Sequence, residues 1–156
     1  MGARLDTSGR LAAAMLAGAM LIPAALTAEP PTTPMACAGQ AWFVSGALEA
    51  DVGIFEDDRA MSAELASLGL VLVMAAAEDG GCAMDDATAF EALRIETEAA
   101  RDAFVGQMTT YGTPADLILR GMVDELDTCV SDVGAERLAA IAARWQSGDI
   151  PCGWQP

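Results

Sequence analysis

Residues 68–77 read LGLVLVMAAA, a run that is apolar on every side of a helix. It is too short to cross a bilayer, which takes about 20 residues, but it suits a helix enclosed by other helices. The surrounding pattern predicts a helix over residues 59–78, with Asp57 or Asp58 as its N-cap and Gly80 and Gly81 at its end. We expect this helix to be the central, fully buried helix of a bundle.

Four further helices are predicted on either side of this run. The first covers residues 37–53, and the next extends to residue 109 from an N-cap at Asp85 or Asp86. Residues 113–116 (TPAD) match a capping box, with Thr113 as N-cap and Pro114 first in a helix that ends near residue 130. The last runs from near Asp132 to a stop at Gly148. With no strand pattern, the chain predicts an all-α antiparallel bundle of four or five helices stapled by two disulfides.

The first 28 residues have the layout of a secretory signal peptide. Arg4 and Arg10 precede an apolar run at residues 11–26, and we expect cleavage after Ala28. Residues 29–36 (EPPTTPMA) are rich in proline and are expected to form an extended linker. Residues 37–156 then make a single helical domain of ordinary size.

All four cysteines, Cys37, Cys82, Cys129 and Cys152, follow the expected cleavage site. An even number in an exported chain indicates disulfides and a periplasmic or secreted protein. We favour pairing Cys82 with Cys129, because both lie at the same end of an antiparallel helix pair, and Cys37 with Cys152. Pairing Cys129 with Cys152 is harder, because the last helix, at about 1.5 Å per residue, carries the chain away and the tail is short.

The charge balance limits the partners. The chain has 23 acidic and 8 basic residues, a net charge of −15 at pH 7. Such a surface disfavours nucleic acid and anionic lipid and favours a basic protein. We expect no stable insertion in a membrane once the signal is removed.

The missing residue types limit the chemistry. The chain contains no His, Lys or Asn, which excludes imidazole ligands, His relays and Schiff-base lysines. Glu78 and Asp79 lie near Asp85 and Asp86, but without the order of a calcium loop, so we expect a capped turn there. We predict no catalytic, cofactor-binding or metal-binding residues.

The tryptophans Trp42, Trp145 and Trp154 are more suggestive of a site. Two of them flank the expected disulfide between Cys37 and Cys152, where an aromatic pair either closes the core or lines a pocket. We expect the pair to close the core.

These observations favour an exported, non-enzymatic binding or interaction protein. In its sharper form it is an inhibitor or immunity-type protein that masks a basic partner with its carboxylates. The alternative is a small hydrolase that uses paired Glu and Asp carboxylates, one of them an acid with a raised pKa.

Overall fold

The computed structural model describes residues 31–50 and 53–154, so the expected signal peptide and the first part of the expected linker lie outside it. The described residues form five helices and a final 3₁₀ turn, without a strand. The elements are α1 (Pro34–Leu48), α2 (Asp58–Asp79), α3 (Asp86–Tyr111), α4 (Ala115–Val133), α5 (Ala135–Gln146) and the 3₁₀ turn (Pro151–Gly153). The all-α bundle with two disulfides is confirmed.

The first three helices begin at side-chain caps. Their N-cap oxygens, from Thr33, Asp57 and Asp85, each accept a hydrogen bond from a backbone N–H three residues ahead. These bonds satisfy donors that a helix start leaves without a partner. Because Thr33 caps α1, the helix starts at Pro34, inside the stretch that the sequence predicts as an extended linker.

The capping box expected at residues 113–116 does not form. Pro114 is the N-cap residue of α4, and this helix has no side-chain cap hydrogen bond. The Thr113 N–H instead donates to the carbonyl of Gln107, and Gly112 adopts a left-handed φ of 65°. The connection is so short that Thr113 completes the end of α3 instead of opening α4.

The central helix is α1, and the expectation that α2 is central is wrong. Helix α1 packs against α2, α3 and α4, whereas α2 packs mainly against α1 and α5. In the apolar run, residues 72–75 are buried, but Leu70 and Val71 are partly exposed. The run is therefore a core helix with one open side.

Small residues let α1 take this central place. A methyl group added to Gly39 would lie 2.5 Å from the carbonyl carbon of Glu96 on α3, and one added to Gly69 of α2 would lie 2.2 Å from the Trp42 indole. Ser45 and Ser62 are buried between α1 and α2, and each hydroxyl is 2.9 Å from the other residue's carbonyl oxygen. The helices therefore approach each other as closely as backbone atoms allow.

The disulfides join Cys37 to Cys129 and Cys82 to Cys152, so the expected pairing is wrong. The antiparallel order brings the start of α1, the end of α2 and the end of α4 to the same end of the bundle. Cys37, Cys82 and Cys129 therefore lie at the same end, where Cys152 joins Cys82, and helix direction alone does not select the partners.

The C-terminal tail explains how Cys152 reaches Cys82. Helix α5 has 12 residues, about 18 Å, and is shorter than the sequence predicts. Trp145, near its end, still borders the same cavity as Leu70 and Met74 of α2. The tail therefore has only a short distance to cover from the end of α5 back to Cys82.

We expect Gly39→Ala to lower the free energy of unfolding by about 1–3 kcal/mol, because the new methyl group meets the α3 backbone. Gly46→Ala is the matched control on α1, since no atom lies within 4 Å of its added methyl group. It should raise stability by about 0.5–1 kcal/mol through helix propensity. Urea unfolding measures both variants. Equal stabilities would contradict the close approach of α1 and α3.

Candidate functional site

An apolar cleft of about 110 Å³ opens between α2, the start of α3 and the C-terminal tail. We name it the tryptophan cleft. A second cavity of about 210 Å³ adjoins it along α2 and α5 and shares Leu70, Met74 and Trp145 with it. The side chains that form the tryptophan cleft are mainly Leu70, Val73, Met74, Phe90, Trp145 and Trp154.

The two tryptophans have different surroundings. Trp154 packs against the core, and its indole N–H donates to the carbonyl of Met84 at 3.2 Å. Trp145 is 37% exposed, and Phe90 at the cleft is 57% exposed. Trp154 therefore closes the core, and both tryptophans line the cleft. Trp42 lies elsewhere, over Gly69.

Charged contacts hold α5 against the end of α2. Arg137 donates to Asp79 at 2.7 Å and to the Ala75 carbonyl at 3.1 Å, and Arg144 donates to Glu78. These bonds and the disulfide between Cys82 and Cys152 fix the walls of the tryptophan cleft on both sides.

The carboxylates that the sequence brings together near the α2–α3 turn have separate tasks. Glu78 and Asp79 face arginines of α5, Asp85 caps α3, and Asp86 lines the tryptophan cleft. Within residues 31–50 and 53–154, no group of three or more His, Cys, Asp or Glu side chains is placed to hold a metal ion.

Two exposed carboxyl groups, one on the N-cap residue of α3 and one within the helix, have pKa values below their usual range. Hydrogen bonds from Thr88 lower the pKa of Asp85. The main cause for Glu91 is the hydrogen bond that its carboxylate accepts from Arg94. The hydrogen bonds from Arg94 to Glu91 and Glu98 raise the pKa of Arg94 in turn. All three groups are therefore held in their charged forms.

A further cavity of about 200 Å³ lies between α3 and α4, and we name it the α3–α4 trough. It shares no lining residue with the tryptophan cleft. Gln40 of α1 lines it and is only 6% exposed. Its amide nitrogen donates to the Met122 carbonyl at 2.8 Å and to Glu125 Oε2 at 3.0 Å. The remaining wall is mainly Phe104, Leu117 and Ile118.

The sequence pattern does not predict this trough. From the helical spacing of Ile118, Met122 and Leu126, the sequence predicts that Glu125 faces away from the bundle. The structure instead places Glu125 partly buried against Gln40. Gln40 itself could have indicated a buried polar contact, because it shares a helical face with Val44 and Leu48, which are both fully buried. A polar residue on such a face needs a partner.

By length and composition alone, α2 (Asp58–Asp79) could also cross a membrane, and it is the one such helix among the described residues. The core helix of a soluble protein meets the same criterion. Comparison with known proteins gives no match to a family model, to a curated protein or to a solved structure.

We expect the disulfide between Cys82 and Cys152 to be reduced before the one between Cys37 and Cys129. Cys82 is exposed, whereas Cys37 and Cys129 are each 2% exposed, and a thiolate must reach a sulfur to attack it. Limited dithiothreitol treatment, alkylation and peptide mass spectrometry give the order. Simultaneous or reversed reduction of the folded protein would contradict this exposure difference.

Proposed function

We propose that this chain is an exported, non-enzymatic binding protein that holds a basic protein partner at the tryptophan cleft. The observation that carries the proposal is the cleft itself, where two tryptophans and an exposed phenylalanine surround an apolar depression. Aromatic side chains around a pocket are the usual energetic centre of protein interfaces.

The cleft is suited to binding because its walls are fixed before a partner arrives. The Trp154 hydrogen bond and the nearby disulfide restrain the tail, and Arg137 and Arg144 restrain α5. A partner then loses less free energy to the ordering of loops and side chains. Phe90, more than half exposed, is free to be covered by an apolar side chain of the partner.

The surface charge supports a basic partner. Four arginines form ion pairs with carboxylates of the same fold, and each therefore neutralises a carboxylate beside it: Arg94, Arg101, Arg137 and Arg144. The net charge of −15 leaves most carboxylates in excess. Among them, Asp86 lines the cleft. Asp149 is exposed and directly precedes Ile150, which also lines the cleft. Complementary charge speeds encounter and selects the partner.

The two disulfides are compatible with an oxidising compartment. With the signal-like residues 1–28, they support a periplasmic or secreted location for the binding protein. Masking of a basic partner, as by an inhibitor or immunity-type protein, is the sharper form of the proposal.

The hydrolase alternative remains a prediction with no observation in its favour. A general acid of that class needs a raised pKa, and the pKa values of Asp85 and Glu91 are shifted downward.

A lysine-rich peptide with one central phenylalanine is a direct probe. We expect isothermal titration calorimetry to detect binding at low salt, to detect much less at high salt, and to detect little for the same peptide with central serine. Phe90→Ser should weaken binding about tenfold, as expected for an aromatic interface residue.

Ile95→Ser is the matched control, because Ile95 is 52% exposed on the same helix and lies outside the cleft. It should leave the affinity unchanged. Equal affinity for the phenylalanine and serine peptides, or equal effects of the two substitutions, would refute the tryptophan cleft as the binding site.

A further inference from the structure

The α3–α4 trough is lined by Gln40, whose amide oxygen accepts no hydrogen bond from the described residues. Both groups beside the Gln40 amide nitrogen, the Met122 carbonyl and the Glu125 carboxylate, accept hydrogen bonds. The NH₂ group must therefore face them, and the amide oxygen must face away. The orientation of Gln40 is thus fixed by its neighbours.

The amide oxygen of Gln40 is not sealed inside the core, and Gln40 lines both the α3–α4 trough and a groove beside it. No described residue donates to it, and in the described part of the chain no fully buried side-chain oxygen or nitrogen lacks a partner. This oxygen therefore reaches open space, although 94% of the Gln40 surface is covered, as its 6% exposure implies. Beside it lies the carboxylate of Glu125, another acceptor.

We infer that the α3–α4 trough binds the ammonium or guanidinium group of a small organic cation or of a Lys or Arg side chain. The trough offers two acceptors, Gln40 Oε1 and the Glu125 carboxylate, and a charged N–H donor matches both. Phe104 adds an aromatic ring to the wall, and such rings attract organic cations.

The apolar wall indicates an organic cation instead of a metal ion. Calcium takes about six to eight oxygen ligands, whereas this trough combines two acceptor side chains with Phe104, Leu117 and Ile118. These side chains suit the alkyl stem behind a charged head group. The volume, about 200 Å³, is below the range of about 300–1,000 Å³ typical of drug-sized sites, so the occupant is small.

A groove continues from the trough and would accommodate a longer part of the cationic ligand. A groove of about 170 Å³ runs from Gln40 along α3 to Glu96 and Pro31. It places a second carboxylate, that of Glu96, along the path of a cationic ligand. Because the trough and the tryptophan cleft share no lining residue, this inference does not depend on the proposed function.

Titration with butylammonium, followed by amide chemical shifts in NMR, tests the inference. We expect shifts at Ala103 and Gly121, which line the trough, and no such shifts with butanol, which lacks the charge. Glu125→Gln keeps an acceptor for the Gln40 amide but removes the charge, and it should raise the Kd about five- to tenfold.

Asp124→Asn is the matched control, because it removes the same charge from the neighbouring, exposed position of α4. It should change the Kd by less than about twofold, since an exposed charge outside the trough is largely screened. Equal effects of the two substitutions, equal shifts with butanol, or no shift at Ala103 and Gly121 would overturn the inference.

A second arm separates the two sources of the cation. A blocked Gly-Lys-Gly peptide that binds more tightly than butylammonium identifies a protein side chain as the ligand, and the reverse order identifies a free amine. Phe90→Ser should leave both affinities unchanged. Failure at this site and failure at the tryptophan cleft are therefore distinguishable.

Discussion

The close approach of α1 to three other helices is the constraint on which the rest of the structure depends. It requires a missing side chain at Gly39, where α3 meets α1, and at Gly69, where α2 passes beneath Trp42. Interiors are packed so tightly that one methyl group at such a contact shifts a helix. The disulfide between Cys37 and Cys129 ties α1 to α4 and closes 92 residues of chain, worth about 4–5 kcal/mol in the chain-entropy model.

The α3–α4 trough and the tryptophan cleft both follow from that arrangement. Because α1 occupies the centre, Gln40 lies beneath the line where α3 and α4 meet and provides the α3–α4 trough with its polar group. The side of α2 away from α1 is left to α5, whose 12 residues cannot cover a helix of 22. The tail covers part of the remainder with Trp154, and the part left open is the tryptophan cleft.

The sequence predicts the helices well and their arrangement poorly. Asp57 and Asp85 start α2 and α3 as their capping chemistry implies, since that chemistry is local. The pairing of cysteines, the place of Glu125 and the central position of α1 depend on which helices touch. Hydrophobic content favoured α2 as the centre, but small residues decide how closely helices approach. The trough depends on the contact between Gln40 and Glu125, which are 85 residues apart in the sequence. No local sequence pattern predicts that contact.

Native-state hydrogen exchange tests most directly whether α1 is the centre of the bundle. Amides that open only through global unfolding exchange most slowly. If α1 is central, the amides of Ala41 and Val44, both fully buried, should exchange as slowly as any in the protein. They should also share the denaturant dependence of global unfolding. If those amides instead exchange through local opening while residues 72–75 of α2 remain protected, the bundle is organised around α2 and the central role of α1 is refuted.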